Sequence, residues 1–175
     1  MRRREPAERF MTPRRWAVIV LLSLGLVLAL ILLYLQWARS DYAREEREAV
    51  QRAVAEAGLR KAESAVKFVW DEVVWVVRGE REDGSDAYVW VFADRVEITD
   101  AGEAYDADAL RRDVLREHPD AAILRIRPGY AEGRRIWEVW YTRNENGVER
   151  HFYGFYAFED GRPFRTYRLP AKATG

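Results

Sequence analysis

The side chains that could carry out chemistry in this chain are few and scattered. His118 and His151 are the only histidines, and there is no cysteine. A thiol nucleophile and a thiolate metal site are therefore excluded, and two distant histidines make a poor zinc site. His118 lies at the predicted end of a helix, where an imidazolium would complement exposed carbonyl groups. His151 begins a predicted strand opposite Thr142, which suits a surface residue.

Carboxylates are plentiful, but their positions indicate structural roles. The run Glu80-Arg81-Glu82-Asp83 falls in a predicted turn, and Asp106-Ala107-Asp108 falls at a predicted helix start. Solvation and helix capping explain such runs better than acid–base catalysis. The sequence also lacks the nucleophile-elbow, P-loop and zinc-protease motifs. We therefore expect no enzymatic activity, no catalytic residue, no cofactor and no bound metal.

One apolar segment determines where any function must take place. Trp16–Leu35 runs for twenty residues without a charge, which as a helix matches the ~30 Å hydrocarbon core of a bilayer. The segment is too long for the apolar core of a cleaved signal peptide, and no A-x-A-like site follows it. We expect a single uncleaved membrane span over residues 16–37. Six arginines precede it: Arg2, Arg3, Arg4, Arg9, Arg14 and Arg15.

Those arginines predict the orientation of the chain. The positive-inside rule places residues 1–15 in the cytoplasm as a short tail and residues 38–175 outside the cytoplasm. This second part carries 23 Lys and Arg against 27 Asp and Glu. A slightly acidic balance excludes a strongly basic nucleic-acid-binding protein, so we expect no nucleic acid as a partner. The apolar segment makes the membrane one partner, and we expect the second partner to be a protein.

Residues 38–175 contain two copies of one pattern, a helix followed by strands. The first helix is predicted at Asp41–Ala57, and the second begins after a plausible N-cap, Asp106. Strands are predicted at Ser64–Trp70, Val73–Arg78, Asp86–Ala93 and Arg95–Thr99, and then at Ala121–Arg127, Ile136–Arg143, His151–Phe158 and Pro163–Leu169. Shifting the chain by 63 residues places Gly84 on Gly147. We expect an α+β fold with two tandem domains, 38–100 and 101–175.

The second hairpin has a turn sequence that predicts its register. Asn146-Gly147 is typical of a two-residue turn, which pairs Glu145 with Val148. Side chains alternate between the two faces of a sheet. One face then holds Trp137, Val139, Tyr141, Phe152, Tyr156 and Phe158. The other holds Ile136, Glu138, Trp140, His151, Tyr153 and Phe155. The first face is more uniformly apolar, so we expect the second helix to cover it.

The same reasoning applied to Asp83-Gly84 pairs Val77 with Trp90. It predicts a valine face (Val74, Val76, Val89, Val91) under the first helix and an aromatic face (Trp75, Tyr88, Trp90, Phe92) left over. The uncovered aromatic residues of both units are candidates for partner binding: Trp75, Tyr88, Trp90, Phe92, Trp140, Tyr153 and Phe155. The alternative is that these faces pack against each other, the linker or the N-terminal helix.

Several of these segments resemble a known family. The strand Ile136-Trp137-Glu138-Val139-Trp140-Tyr141, the turn that ends in Gly147, and the aromatic strand HFYGFYAF resemble the repeat of PepSY-like, cystatin-like domains. The segment Val73–Gly79 and the strand Tyr88–Val91 resemble its partner repeat. Together with the apolar N-terminal segment, residues 16–170 resemble the TseB (YpmB) family of cell-wall elongation regulators.

This resemblance implies a non-catalytic extracytoplasmic protein, anchored in the cell membrane by a single span. It implies two cystatin-like domains and a role in peptidoglycan elongation through binding of a penicillin-binding protein. Two other functions remain open at this stage. One is an extracytoplasmic protease inhibitor or chaperone-like module, and the other is a sensor that binds a ligand between the two units.

Overall fold

The computed structural model describes residues 13–170, except for the side chains of residues 13 and 36–39. The arginines at positions 2–9, on which the predicted orientation depends, lie outside the described residues. The chain divides into two compact units, with the boundary between Arg44 and Glu45. We describe each unit by itself.

The first helix, α1 (Pro13–Ala57), contains the apolar segment. It is long and apolar enough to cross a membrane. The leucine, isoleucine and valine side chains of this segment are exposed, with exposed fractions between 40% for Ile19 and 72% for Leu21. Within residues 16–35, therefore, no protein core covers the large apolar side chains.

The first sheet is an antiparallel meander of four strands in chain order. These are β1 (Leu59–Val69), β2 (Val73–Arg81), β3 (Asp86–Val91) and β4 (Val96–Asp100). Ala49 and Ala53, near the end of α1, pack against one face of this sheet. Small residues on the helix leave room for the larger side chains of that face, which are Trp75, Val77, Val89 and Val91.

The second helix, α2 (Ala107–Glu117), begins where the sequence predicts. The side chain of Asp106 accepts a hydrogen bond of 2.7 Å from the Ala109 N–H, so the predicted N-cap is confirmed. A second antiparallel meander follows, again with its strands in chain order. It consists of β5 (Ala122–Ala131), β6 (Arg134–Glu145), β7 (Val148–Ala157) and β8 (Pro163–Arg168). The predicted α+β class is confirmed.

The two sheets and α2 share one hydrophobic core. Leu110 and Val114 are the buried residues of α2, and they belong to the same cluster as Trp137, Tyr141 and Phe152. Aromatic rings from the two sheets meet edge to face: Tyr88 lies 6.0 Å from Trp137, and Trp90 lies 4.8 Å from Phe158. Tyr88 and Trp90 therefore pack against the face of the second sheet that the sequence assigns to α2. This is not the predicted alternative in which the two aromatic faces pack against each other. The predicted domain boundary at residue 100 stays a prediction.

The register predicted for the second hairpin is confirmed. Glu145 pairs with Val148 and Trp140 pairs with Tyr153. Asn146 and Gly147 have φ values of 54° and 80°, as a two-residue type I′ turn requires at both central positions.

The register predicted for the first hairpin is wrong by one residue. Val77 pairs with Val89 and not with Trp90. Three residues separate Arg81 from Ser85, and these two close the loop through a 2.8 Å bond from the Arg81 N–H to the Ser85 carbonyl. Gly84, with φ 82°, takes the left-handed position of this longer loop, as expected for a three-residue hairpin.

The corrected register also corrects the two faces of the first sheet. Trp75 lies under α1, where the sequence predicts valines only. Val74 and Val76 lie on the opposite face and share the central core with three aromatic residues, Tyr88, Trp90 and Phe92. An offset of one residue in a hairpin changes which residues of the two strands share a face, because side chains alternate with a period of two.

Candidate functional site

The structure separates the seven predicted partner-binding residues into two groups. Five are buried, with exposed fractions of 9% or less, and belong to the hydrophobic cores: Trp75, Tyr88, Trp90, Phe92 and Phe155. In this structure they are core residues, and the expectation that they form an exposed face is corrected. Only Trp140 and Tyr153 are partly exposed. Binding of a partner by these two residues stays a prediction.

Burial also affects the hydroxyl groups of the core tyrosines. Desolvation raises the pKa of the Tyr88 hydroxyl above its ordinary value, although the nearby Arg78 opposes the shift. Desolvation likewise raises the pKa of Tyr156, with smaller contributions of the same sign from Tyr141 and Glu117. These rings therefore stay neutral over the physiological range and act as packing groups.

Trp140 and Tyr153 belong to a row of four side chains across the second sheet. Cross-strand pairing aligns Arg125 of β5, Trp140 of β6, Tyr153 of β7 and Tyr167 of β8 on one face. The Arg125 guanidinium lies 5.3 Å from the centre of the Trp140 ring. The Trp140 and Tyr153 rings stack with their centres 6.0 Å apart. Neighbours across strands on one face are close enough to interact directly.

Trp70, in the loop between β1 and β2 of the first sheet, lies at one end of this row. Its ring is 5.1 Å from that of Tyr167 and 4.9 Å from that of Phe155. Phe155 is completely buried, whereas Trp70 remains 39% exposed. We call the partly exposed group Arg125, Trp140, Tyr153, Tyr167 and Trp70 the aromatic ledge.

A buried carboxylate lies beside the ledge. Glu138 is only 2% exposed, and it accepts bonds of 2.8 and 3.0 Å from Arg127 and one of 3.1 Å from Arg125. Charge-assisted bonds of this kind offset the desolvation of a buried carboxylate. Since two guanidinium groups share one carboxylate, this cluster has one net positive charge.

Three polar atoms of this face have no hydrogen-bond partner among residues 13–170: Arg125 Nε, Trp140 Nε1 and His151 Nδ1. The His151 ring lies 5.8 Å from the Trp140 ring, so the three side chains are neighbours. Buried donors normally find partners, and each exception needs an explanation. All three belong to partly exposed side chains, which can reorient more easily than the fully buried Trp90.

Sequence reasoning found two residues of the ledge and missed the other three. Tyr167 and Arg125 follow from extending the confirmed register to the neighbouring strands. Strand pairing could not predict the position of the Trp70 ring, because that position depends on how the two sheets pack. The sequence places Trp70 at the end of a predicted strand, where an aromatic residue is ordinary, so it gave no sign of a surface role.

The histidines have the surroundings expected from the sequence. His118 follows α2, and its ring stacks on Tyr141 at 5.8 Å. His151 lies opposite Thr142, which confirms the predicted pairing. Within the described part of the chain, no group of three or more His, Cys, Asp or Glu side chains is arranged to hold a metal ion.

Comparison with known proteins gives two matches. Residues 48–91 match the family model of the cell wall elongation regulator TseB-like domain. This segment runs from the end of α1 through β3 and so includes the first hairpin. No curated protein gives a significant match to the sequence. The family is described as a regulator and not as an enzyme, which agrees with the expectation of no catalysis.

The fold is similar to that of a solved structure, the YpmB protein from Bacillus subtilis, with a TM-score of 0.62. The likeness covers 71% of this chain and 97% of that one at 21% sequence identity. At this identity it shows a shared fold. The domain match and the shared fold together confirm the resemblance of this chain to the TseB (YpmB) family.

Proposed function

We propose that this protein is a membrane-anchored regulator of cell-wall elongation that acts by binding a penicillin-binding protein. The observation that carries the proposal is the match of residues 48–91 to the TseB-like regulator domain. The apolar helix α1 adds support, because it is long and apolar enough to anchor the protein in a membrane.

The proposal includes an orientation and a domain organisation. Residues 1–15 lie in the cytoplasm, residues 16–37 cross the membrane, and the rest forms two cystatin-like, PepSY-like domains outside the cytoplasm, 38–100 and 101–175. The arginines before the span support this orientation through the positive-inside rule. The two four-stranded meanders, each preceded by a helix, support the tandem organisation.

Orientation can be tested with tags at the two ends of the full chain. Protease added to spheroplasts should remove a C-terminal tag and spare an N-terminal one. Permeabilised spheroplasts provide the control, since both tags should then be lost. Protection of the C-terminal tag in intact spheroplasts would contradict the orientation and the proposed site of action.

The partner can be tested by capture and chemical identification. The full-length tagged chain is cross-linked in cells, purified from detergent-solubilised membranes and treated with a fluorescent penicillin. A co-purifying band labelled by the penicillin is expected, and it should disappear when unlabelled penicillin is added first. An unrelated single-span protein with the same tag is the matched control. Absence of a labelled band, or its equal recovery with the control, would overturn the proposal.

A further inference from the structure

The sequence contains two asparagines, and both lie at the hairpin between β6 and β7. Asn144 is the last residue but one of β6, and Asn146 precedes Gly147 in the turn. An asparagine followed by glycine is prone to spontaneous deamidation, because glycine has no side chain to hinder attack by its own backbone nitrogen. Asn144 is followed by Glu145, whose side chain hinders the same reaction. Asparagine chemistry in this chain is therefore concentrated at Asn146.

Deamidation at this dipeptide needs water and no other reactant. The Gly147 backbone nitrogen attacks the side-chain carbonyl carbon Cγ of Asn146, and a bond forms between these two atoms. The bond from Cγ to the side-chain nitrogen breaks, and ammonia leaves with the proton of the Gly147 N–H. Water then opens the resulting five-membered succinimide ring at either of its two carbonyl groups. The products are aspartate and isoaspartate, in which the main chain continues through the side-chain carbon.

The folded turn is accessible to water, but it restrains the attacking atom. Asn144, Asn146 and Gly147 are all exposed. The Gly147 N–H donates a hydrogen bond of 2.8 Å to the side-chain oxygen Oδ1 of Asn144. Attack on Asn146 requires the Gly147 nitrogen to lose its proton and to turn toward Cγ, so this hydrogen bond must break first. The side chain of Asn144 therefore opposes the reaction at Asn146.

The backbone geometry of the turn opposes the same reaction. Ring closure requires the Asn146 Cβ and the Gly147 nitrogen to lie on the same side of the Asn146 Cα–C bond. A type I′ turn, to which the φ values of 54° and 80° belong, places these two atoms on opposite sides. Deamidation must therefore proceed while the turn is open. Opening of an exposed turn costs much less free energy than global unfolding, so the native chain can still react.

We propose that Asn146 is a site of spontaneous deamidation, and that the side chain of Asn144 slows the reaction by holding the Gly147 N–H. Each product changes the hairpin in its own way. An aspartate at position 146 adds a negative charge next to Glu145. An isoaspartate adds one carbon to the main chain, which a two-residue turn does not accommodate, so the pairing of Glu145 with Val148 is lost. This inference does not depend on the proposed function.

The test measures deamidation of the full-length chain in nonionic detergent at mildly alkaline pH. Samples taken at intervals are digested with trypsin, which cleaves after Arg143 and Arg150 and releases residues 144–150 with both asparagines. An unincubated sample gives the background from digestion. Mass spectrometry with electron-transfer fragmentation shows which asparagine has reacted and distinguishes aspartate from isoaspartate. We expect deamidation at Asn146 in the native chain, at a lower rate than in the chain unfolded in guanidinium chloride.

Two results of this measurement would overturn the proposal. If Asn146 in the native chain stays unmodified after the unfolded chain has reacted completely, the turn is not a deamidation site in the folded protein. If the native and unfolded chains react at the same rate, the folded turn does not restrain the reaction.

Variants of Asn144 test its role. Asn144→Ala should raise the native rate roughly fivefold, which corresponds to about 1 kcal/mol, the net contribution of one hydrogen bond. The matched control is Asn144→Asp, which keeps an oxygen acceptor at this position and should react no faster than the wild-type chain. An unchanged melting temperature confirms that each variant is folded. Equal native rates for Asn144→Ala and the wild-type chain would contradict the proposal. A fivefold difference that persists in guanidinium chloride would also contradict it, because the effect would then come from the local sequence and not from the hydrogen bond.

Discussion

The β2–β3 hairpin of the first sheet and the β6–β7 hairpin of the second have similar sequences, but their aromatic residues have different environments. In the first, Tyr88 and Trp90 point into the core between the sheets. In the second, Trp140 and Tyr153 stay partly exposed on the far face. The comparison shows that aromatic content does not by itself reveal which rings form a surface.

Turn length accounts for part of this difference. The three-residue loop around Gly84 moves the pairing by one residue relative to a two-residue turn, so that Val76 shares a face with Tyr88 and Trp90. The Asn146-Gly147 turn keeps Trp140 and Tyr153 directly opposite each other. Packing accounts for the rest. The first sheet has a hydrophobic cluster on each face, whereas Trp140 and Tyr153 of the second sheet stay partly exposed among the described residues.

The largest expected difference between the hairpins is in stability. Trp90→Ala removes a completely buried ring that contacts Phe158, and truncations of this kind cost ~3–5 kcal/mol. Trp140→Ala removes a partly exposed ring and should cost only about 1 kcal/mol. Denaturant unfolding of the full-length variants, followed by near-ultraviolet circular dichroism, measures both. An equal loss for the two variants would make Trp140 a core residue and remove the basis for the ledge.

Local patterns were sufficient to predict the presence of the helices and the eight strands, and the second register. Two starting points differ: β1 begins at Leu59 and not at Ser64, and the helix predicted from Asp41 is the end of α1, which begins at Pro13. Asn146-Gly147 defines one turn geometry, and Asp106 is a strong capping residue, so both predictions needed only neighbouring residues. Asp83-Gly84 is compatible with loops of two and of three residues, and the sequence alone could not choose between them. The position of Trp70 and the burial of Phe155 could not be predicted, because they depend on packing between segments about 85 residues apart in the chain.

A second test compares how the two sheets hold their carboxylates. Glu138→Gln in the second sheet leaves two guanidinium groups facing one amide, and we expect a loss of ~1–3 kcal/mol in the free energy of unfolding. In the first sheet, Arg95 binds Glu72 through two bonds of 3.2 Å, but both side chains are substantially exposed. Glu72→Gln should therefore have a much smaller effect. A larger loss for Glu72→Gln than for Glu138→Gln would contradict this ranking.

The smallest expected difference concerns acid and the two turns. In the first turn, the Asp83 carboxylate accepts bonds from the Ser85 hydroxyl and the Ser85 N–H, at 2.6 and 2.9 Å. These bonds, the hydroxyl first, hold the pKa of Asp83 below its ordinary value. In the second turn, the acceptor for the Gly147 N–H is the uncharged side-chain oxygen of Asn144. Of these two turns, therefore, only the first has hydrogen bonds to a carboxylate that acid can protonate.

The sign follows from the lowered pKa of Asp83. Stabilisation by the carboxylate is complete above the unfolded-state pKa of about 4 and is lost as the pH falls through the lower folded-state pKa. Titration followed by nuclear magnetic resonance should therefore move the Ser85 amide signal below about pH 4 and leave the Gly147 amide signal unchanged. Asp83→Asn retains an acceptor without a titrating group, so it should abolish the acid step at Ser85. A simultaneous shift of the Ser85 and Gly147 amide signals in the wild-type chain would indicate unfolding of the whole second unit, which contains both turns. The two turns would then not differ in the way that their hydrogen bonds indicate.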